Sequence, residues 1–132
     1  MGSAFDSERR EFVRIKVALP VRYKFLCQDL DHPDLAKIHE GTTRNLSGGG
    51  LLLRGRIPHL EWLPSMLSGK MKVGVNLILP TFDLPVKALT RVSWVEGMEE
   101  ETLRADLGLR FREITKEAQD EIVRYIIKTQ MP

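Results

Sequence analysis

The fold depends first on one stretch of the chain, Val13-Arg14-Ile15-Lys16-Val17-Ala18-Leu19-Pro20-Val21-Arg22-Tyr23-Lys24-Phe25. All of its odd-numbered positions are apolar, whereas basic side chains occupy four of its even-numbered positions. A period of two over this length is typical of a half-buried β-strand, so we predict one long strand over residues 13–25. The parity places Arg14 on the outer face. Pro20 indicates an edge position or a bulge, because proline cannot donate to a ladder of hydrogen bonds.

Alternating patterns recur along the chain and then give way to a helical one. The further strand-like segments are residues 40–46, 50–54, 73–79, 84–94 and 103–111, separated by turn residues at hairpin distances. Ala118, Ile122 and Ile126 then recur at helical spacing after Thr115, a residue type favoured at an N-cap. The fold class predicted is mainly β, a small six-stranded antiparallel β-barrel with a C-terminal α-helix that plugs one end.

The remaining segments set the domain organisation. The chain of 132 residues is long enough for one domain with its own core. Residues 1–12 are polar and unpatterned, and we expect a flexible N-terminal tail over residues 1–8 followed by a barrel domain over residues 9–132. The connection at 55–72 is apolar in part and broken at Pro64, so we predict that it caps an open end of the sheet. A partner-docking surface is the alternative.

Charge and cysteine content limit the class of protein and its location. The net charge is +2, but residues 9–24 carry six basic side chains against Glu11 alone. The single cysteine, Cys27, excludes an internal disulfide and fits a reducing compartment. No apolar run is long enough to span a membrane, and no signal pattern begins the chain. We therefore expect a cytoplasmic protein without membrane insertion.

No catalytic or metal-binding pattern is visible in the sequence. None of His32, His39 and His59 has a cysteine or a second histidine at metal-ligand spacing. Ser47 lacks the glycine two positions earlier that a nucleophile elbow needs, and the glycines after it are not followed by Lys-Ser or Lys-Thr as in a phosphate loop. The acidic loop 29–34 lacks both a ligand and the glycine of a calcium loop. We predict a binding module that is not an enzyme, with no metal and no cofactor.

Two separate segments carry side chains suited to a planar anionic ligand. The first contains Arg9, Arg10 and Arg14, and the second is the turn Asn45-Leu46-Ser47-Gly48-Gly49-Gly50. A guanidinium binds phosphate oxygens or a base edge with two hydrogen bonds at once, and the turn offers an amide and a hydroxyl. We expect the two segments to meet and form one pocket. Each segment taken alone has an alternative interpretation. The arginines would be a solvated basic edge, and residues 45–50 would be an ordinary turn.

Together these motifs resemble those of the PilZ domain family, bacterial receptors for the second messenger cyclic di-GMP. The family has an RxxxR motif at the start of its first strand, often after an extra arginine, and a later [D/N]xSxxG motif at a turn. The matching residues are Arg9, Arg10, Arg14, Asn45, Ser47 and Gly50. Two further stretches resemble the last strands of the family, Val92-Ser93-Trp94 and Leu107-Gly108-Leu109-Arg110-Phe111. The resemblance spans roughly residues 8–128, and the connection at 56–72 is longer than the family pattern leads one to expect.

The resemblance implies a role for each of the matching residues. Arg10 and Arg14 would bind phosphate and guanine, and Arg9 would add to this clamp. Asn45 and Ser47 would hydrogen-bond a guanine edge or a phosphate, while Gly50 would serve a backbone position that excludes a side chain. Ligand binding would order the N-terminal segment and alter the surface offered to an unidentified protein partner.

Two other functions compete with this interpretation. A PilZ module that binds proteins and no nucleotide is the first. A small barrel that binds single-stranded nucleic acid is the second, which requires exposed aromatic side chains that stack on bases. Tyr23 and Phe25 have core parity, and we also predict Trp62 and Trp94 to lie in the core, so nucleic acid is not the expected partner.

Overall fold

The structure is a computed structural model that describes residues 13–130, so Arg9 and Arg10 lie outside the described residues. Six strands form a closed antiparallel barrel in the order β1-β2-β3-β6-β5-β4. They are β1 Pro20–Cys27, β2 His39–Ser47, β3 Gly50–Arg56, β4 Met71–Leu77, β5 Val86–Glu99 and β6 Arg104–Ile114. The helices are α1 Leu63–Leu67 and α2 Lys116–Gln130, with short 3₁₀ helices at Pro33–Ala36 and Leu60–Trp62. The predicted six-stranded barrel with a C-terminal helix is confirmed.

The C-terminal helix contributes directly to the barrel core. Ile122 and Ile126 are buried in the same cluster as the inward side chains of the strands. The Thr115 hydroxyl oxygen accepts the N–H of Ala118 at 3.1 Å, which makes Thr115 the N-cap that the sequence predicted. The apolar stripe of α2 is therefore explained by burial against the barrel.

The connection between β3 and β4 also covers the core. Trp62 is only 5% exposed and packs edge-on against Phe25 near the end of β1, with ring centroids 5.8 Å apart, while Met66 is fully buried. Pro64 does not break a helix, as the sequence suggested, but lies in the first turn of α1. Proline is tolerated there because the first N–H groups of a helix have no partner within the helix.

The first strand is shorter than predicted. It begins at Pro20, and residues 13–19 contribute one isolated bridge between Ile15 and Leu46. The Thr43 hydroxyl takes over part of the ladder, because it accepts the Leu19 N–H at 2.9 Å and donates to the carbonyl of Val17. Since the barrel is closed, the predicted edge or bulge position for Pro20 is wrong; proline is the first residue of its strand.

Strand β5 corrects a second prediction. Trp94 was expected in the core because it shares parity with Val86, Ala88 and Val92, yet its side chain is 38% exposed. The register between β5 and β6 shifts between Val92 and Trp94, and this irregularity turns Trp94 outward. Leu84 is 67% exposed and precedes β5, so it is not part of the strand either.

Neither of the described helices is sufficiently long and hydrophobic to serve as a transmembrane segment.

Candidate functional site

A cleft of about 440 Å³ lies between the β2–β3 turn, strands β5 and β6 and the start of α2. The four predicted site residues that the structure describes, Arg14, Asn45, Ser47 and Gly50, all line this cleft. Side chains that the sequence did not single out for the site complete the walls: Ser93, Trp94, Arg110, Phe111 and Gln119. A larger groove of about 780 Å³ lies over β1, β4 and β5, but none of the motif residues lines it. The smaller cleft is the candidate site because the chemically distinctive side chains converge there.

The N-terminal segment is held against β2 next to the turn. Ile15 and Leu46 exchange two backbone hydrogen bonds of 2.9 Å, and the backbone N–H of Thr43 donates to the carbonyl of Leu19 at 2.9 Å. Arg14 immediately precedes this bridge and is exposed, as its parity predicted. The expected meeting of the strand-leading arginine with the polar turn is therefore confirmed for Arg14.

Ser47 shapes the turn that carries the second motif. Its hydroxyl oxygen accepts the N–H of Gly49 at 3.2 Å, and its hydroxyl donates to the carbonyl of Gly50 at 3.3 Å. The residue is only 7% exposed. A hydroxyl retains one acceptor lone pair after these two bonds, so Ser47 can still accept from a ligand while it fixes the turn. Asn45 lies half-buried beside a register shift between Thr43 and Asn45.

Gly50 is required by close packing rather than by an unusual backbone angle. Among the described glycines only Gly69 and Gly97 have positive φ. A Cβ atom added to Gly50 would overlap the carbonyl oxygen of Leu109 on the paired strand. The motif glycine therefore lets β3 and β6 approach each other beneath the cleft.

The same turn is fastened from two other elements. Gln119, in the first turns of α2, donates from Nε2 to the carbonyl oxygen of Gly48 at 2.7 Å. The N–H of Phe111 in β6 donates to the carbonyl oxygen of Gly49 at 2.9 Å. Sequence reasoning missed Gln119, because a polar helix residue distant along the chain gives no signal of a contact with the turn.

Trp94 provides an aromatic surface at the cleft. It pairs with Gly108 across β5 and β6, and a Cβ atom on Gly108 would overlap the indole ring. The indole therefore lies against the bare backbone of β6 and presents its other surface outward. A tryptophan paired with a glycine on the neighbouring strand is the signal that could have identified Trp94 as a site residue. This pairing cannot be recognised until the register of the two strands is known.

The electrostatics of the cleft favour an anion. Arg14 and Arg110 line it, and within the described part of the chain no acidic side chain does. Asp106, on the neighbouring part of β6, is 8% exposed and lies 3.6 Å from Arg44 and 3.4 Å from Arg54. Its charge is therefore offset by two guanidinium groups. The cleft combines forked cations, an amide, a small turn and an aromatic surface, which suits a ligand with phosphates and planar rings.

Comparison with known proteins gives a consistent result. The family model described as PilZ domain matches residues 8–128. No curated protein matches the sequence significantly. The structure is similar to the Bacillus subtilis inhibitor of motility MotI/DgrA, with a TM-score of 0.65 and 19% identity over 92% of this chain and 51% of that one.

Two further similar structures are complexes with c-di-GMP. The K. pneumonia MrkH–c-di-GMP complex gives a TM-score of 0.59 and 15% identity over 92% of this chain and 51% of MrkH. The PilZ domain of YcgR from Escherichia coli with c-di-GMP gives 0.58 and 14% over 92% of this chain and 90% of that domain. The chain thus spans about half the length of MotI/DgrA and of MrkH. At these identities the likeness shows the fold alone.

Proposed function

The chain belongs to the PilZ domain family, and we propose that it is a receptor for cyclic di-GMP. The observation that carries the proposal is that Arg14 and the turn with Asn45, Ser47 and Gly50 line one cleft. The MrkH and YcgR structures, which share the fold, hold the same dinucleotide. A ligand with two phosphates and two guanines needs the cations, polar groups and aromatic surface that this cleft offers.

Each side chain has a distinct part in the proposed binding. Arg14 and Arg110 bind the phosphates and the O6/N7 edge of guanine, because a guanidinium fork matches both. Asn45 hydrogen-bonds a guanine edge, and Ser47 accepts a further hydrogen bond while it holds the turn. Trp94 stacks on a base, a contact worth about 1–3 kcal/mol.

The N-terminal segment transmits the signal in this proposal. Arg9 and Arg10 precede the segment that is fastened to β2, so a bound dinucleotide draws them toward the cleft and changes the surface seen by a protein partner. Amide exchange of residues 5–12, measured with and without ligand, tests this step. We expect greater protection in the complex, and equal protection in both states would contradict it.

Calorimetric titration with cyclic di-GMP tests whether this dinucleotide is the ligand. We expect Arg10→Ala and Arg14→Ala each to weaken binding by on the order of a hundredfold, because each removes a charge-assisted bidentate contact. Trp94→Ala should weaken it by about tenfold or more, since a stacked base loses its support. Arg22→Ala is the matched control: Arg22 is an exposed β1 arginine that lies 3.7 Å from Glu40 and does not line the cleft.

The competing functions are decided in the same experiment. Titration with a single-stranded oligonucleotide forms the second arm, because the exposed Trp94 supplies a stacking surface that the sequence analysis did not expect. Binding of the oligonucleotide without binding of cyclic di-GMP would replace the proposal with the nucleic-acid function. If the folded protein bound neither cyclic di-GMP nor the oligonucleotide, the protein-interaction module would be the remaining function.

A further inference from the structure

A cluster of two histidines and one aspartate lies away from the cleft, near the start of β2. Nε2 of His59 is 2.6 Å from Oδ2 of Asp34, and Nδ1 of His32 is 3.9 Å from the same oxygen. One donor atom from each of the three side chains lies within 4.8 Å of the others. Local sequence patterns do not indicate this cluster, because His59 belongs to a different connection from His32 and Asp34.

Both imidazole rings rest on one buried side chain. The ring of Trp62 lies 5.5 Å from that of His32 and 4.8 Å from that of His59, and the two imidazoles are 4.7 Å apart. His32 is further fixed because its Nδ1 accepts the backbone N–H of Asp34 at 3.0 Å. Contact with the Trp62 ring and this hydrogen bond limit the orientations of the two imidazole rings, as a preorganised ligand set requires.

The carboxylate of Asp34 is kept ionised and oriented. Hydrogen bonds from Lys37 and His59 lower the pKa of Asp34 to about 2. Lys37 Nζ contacts Oδ1 at 2.8 Å and leaves Oδ2 facing the two histidines. On the far side of its ring, Nδ1 of His59 lies 3.9 Å from a carboxylate oxygen of Glu61. An outer carboxylate behind a histidine is a common feature of metal sites, because it orients the ring and raises its basicity.

We propose that His32, Asp34 and His59 bind a divalent first-row transition ion of the zinc class. Two imidazoles and one carboxylate form a donor set of such sites, with the remaining position left for water. Ligand bonds of about 2.0–2.2 Å place donor atoms roughly 3–4 Å apart, so the observed cluster needs only small movements. The ion would take the place of the hydrogen bond between Nε2 of His59 and Asp34, and His59 would bind it through Nε2 as the neutral tautomer with its proton on Nδ1, the nitrogen that faces Glu61. Nδ1 of His32 exchanges its backbone hydrogen bond for the ion.

The proposed ion would act on a different part of the barrel from the cleft. Asp34 lines a pocket together with His39, the first residue of β2, and His59 contacts Asp34, whereas the motif turn follows the other end of β2 at Ser47. At a rise of roughly 3.3 Å per residue the two ends of this strand are about 26 Å apart. The ion would join the β1–β2 connection to the β3–β4 connection, and it would do so whether or not the chain binds a dinucleotide.

Titration of Zn²⁺ into tag-free, chelator-treated protein tests the site, with Co²⁺ absorption as a second probe of the ligand set. We expect one ion per chain. His32→Ala and His59→Ala should each weaken binding at least about tenfold, since even changes behind the ligands cost about 10–100-fold. Lys37→Ala should tighten binding, because the positive charge of the Lys37 ammonium beside Asp34 repels an incoming dication. His39→Gln, which alters the remaining histidine of the chain outside the cluster, should leave binding unchanged.

Circular dichroism in metal-free buffer establishes that each variant is folded. Saturable binding that both histidine variants weaken and Lys37→Ala strengthens would establish the site. The absence of saturable Zn²⁺ binding to wild type, or equal binding by wild type and both histidine variants, would overturn it and leave a hydrogen-bonded cluster only.

Discussion

At the scale of the residue, Gly50 shows how a motif position can serve packing. The β3 backbone passes so close to β6 at this point that a single added carbon would overlap the carbonyl oxygen of Leu109. Gly74 in β4 offers a contrast, because an added carbon there meets nothing closer than a Leu26 methyl at 3.4 Å. The same residue type is therefore obligatory at one position and replaceable at the other.

Gly50→Ala should lower the free energy of unfolding by about 1–3 kcal/mol, since the added methyl must displace backbone rather than a flexible side chain. Urea unfolding measures the effect. Gly74→Ala is the matched control and should be neutral or slightly stabilising, because alanine restricts the unfolded chain without a clash. Equal stability of the two variants would show that β3 and β6 can separate without cost.

At the scale of the element, Thr43 decides the position of the segment that carries Arg14. Thr43 is 1% exposed, and its hydroxyl forms hydrogen bonds with the Leu19 N–H and the Val17 carbonyl. In a longer first strand these two backbone groups would have paired with the backbone of the neighbouring strand. With the Ile15–Leu46 bridge, these bonds lead the N-terminal segment along β2 to the cleft. The segment at residues 13–19, which the sequence predicted as the start of the first strand, is thus held against β2 with the help of the Thr43 side chain.

Thr43→Val should destabilise the protein by about 1–3 kcal/mol, because an isosteric side chain leaves buried polar groups without partners. The same change should weaken cyclic di-GMP binding, since the segment that carries Arg14 is then held by backbone hydrogen bonds only, those of the Ile15–Leu46 bridge and the one from the Thr43 N–H to the Leu19 carbonyl. Denaturant unfolding and calorimetry measure the two effects. Thr42→Val, on the exposed face one residue earlier, should change neither. Full affinity in a destabilised Thr43→Val protein would contradict the positioning role.

At the scale of the whole molecule, the barrel separates two chemically different ends. The cleft lies where β2 ends and α2 begins, and the histidines gather where β2 starts. His39 stacks on Tyr23 with ring centroids 5.3 Å apart, and its buried Nε2 has no hydrogen-bond partner among the described residues. Protonation of this ring would therefore place a charge where little solvates it.

Stability should fall as the pH drops below about 6.5, the ordinary value for histidine, because burial lowers the pKa of His39 in the folded protein. The charges of Arg56 and Lys37 lower this pKa further, while that of Asp34 opposes them. The unfolded chain then binds the proton more readily, so the stabilisation is complete above pH 6.5 and is lost below it.

Urea unfolding of wild type and His39→Gln over this pH range measures the contribution. The difference between their free energies of unfolding should change below pH 6.5 and stay constant above it. A difference that is independent of pH would contradict the assignment to His39.

Much of the architecture could be predicted because it depends on local periodicity. Alternation requires a buried and an exposed face wherever a strand lies, and the change to a 3.6-residue period marks α2 by the same reasoning. The outward placement of Arg14 also follows from parity, and the glycine turn was identifiable from residue type alone, although the structure places Asn45 and Ser47 in β2 and Gly50 in β3, on either side of it. Their part in binding a dinucleotide stays a prediction.

Features that depend on strand register and on contacts between distant segments are visible only in the folded structure. The irregularity between Val92 and Trp94 reverses the parity of β5, and no local pattern announces it because both faces carry apolar residues there. Gln119 reaches Gly48, and His59 reaches Asp34, only because the fold brings together elements that are distant along the chain. Local sequence patterns specify which faces of the strands and helices are apolar. The tertiary structure determined which polar side chains meet, because that requires the relative placement of whole elements rather than the pattern within one.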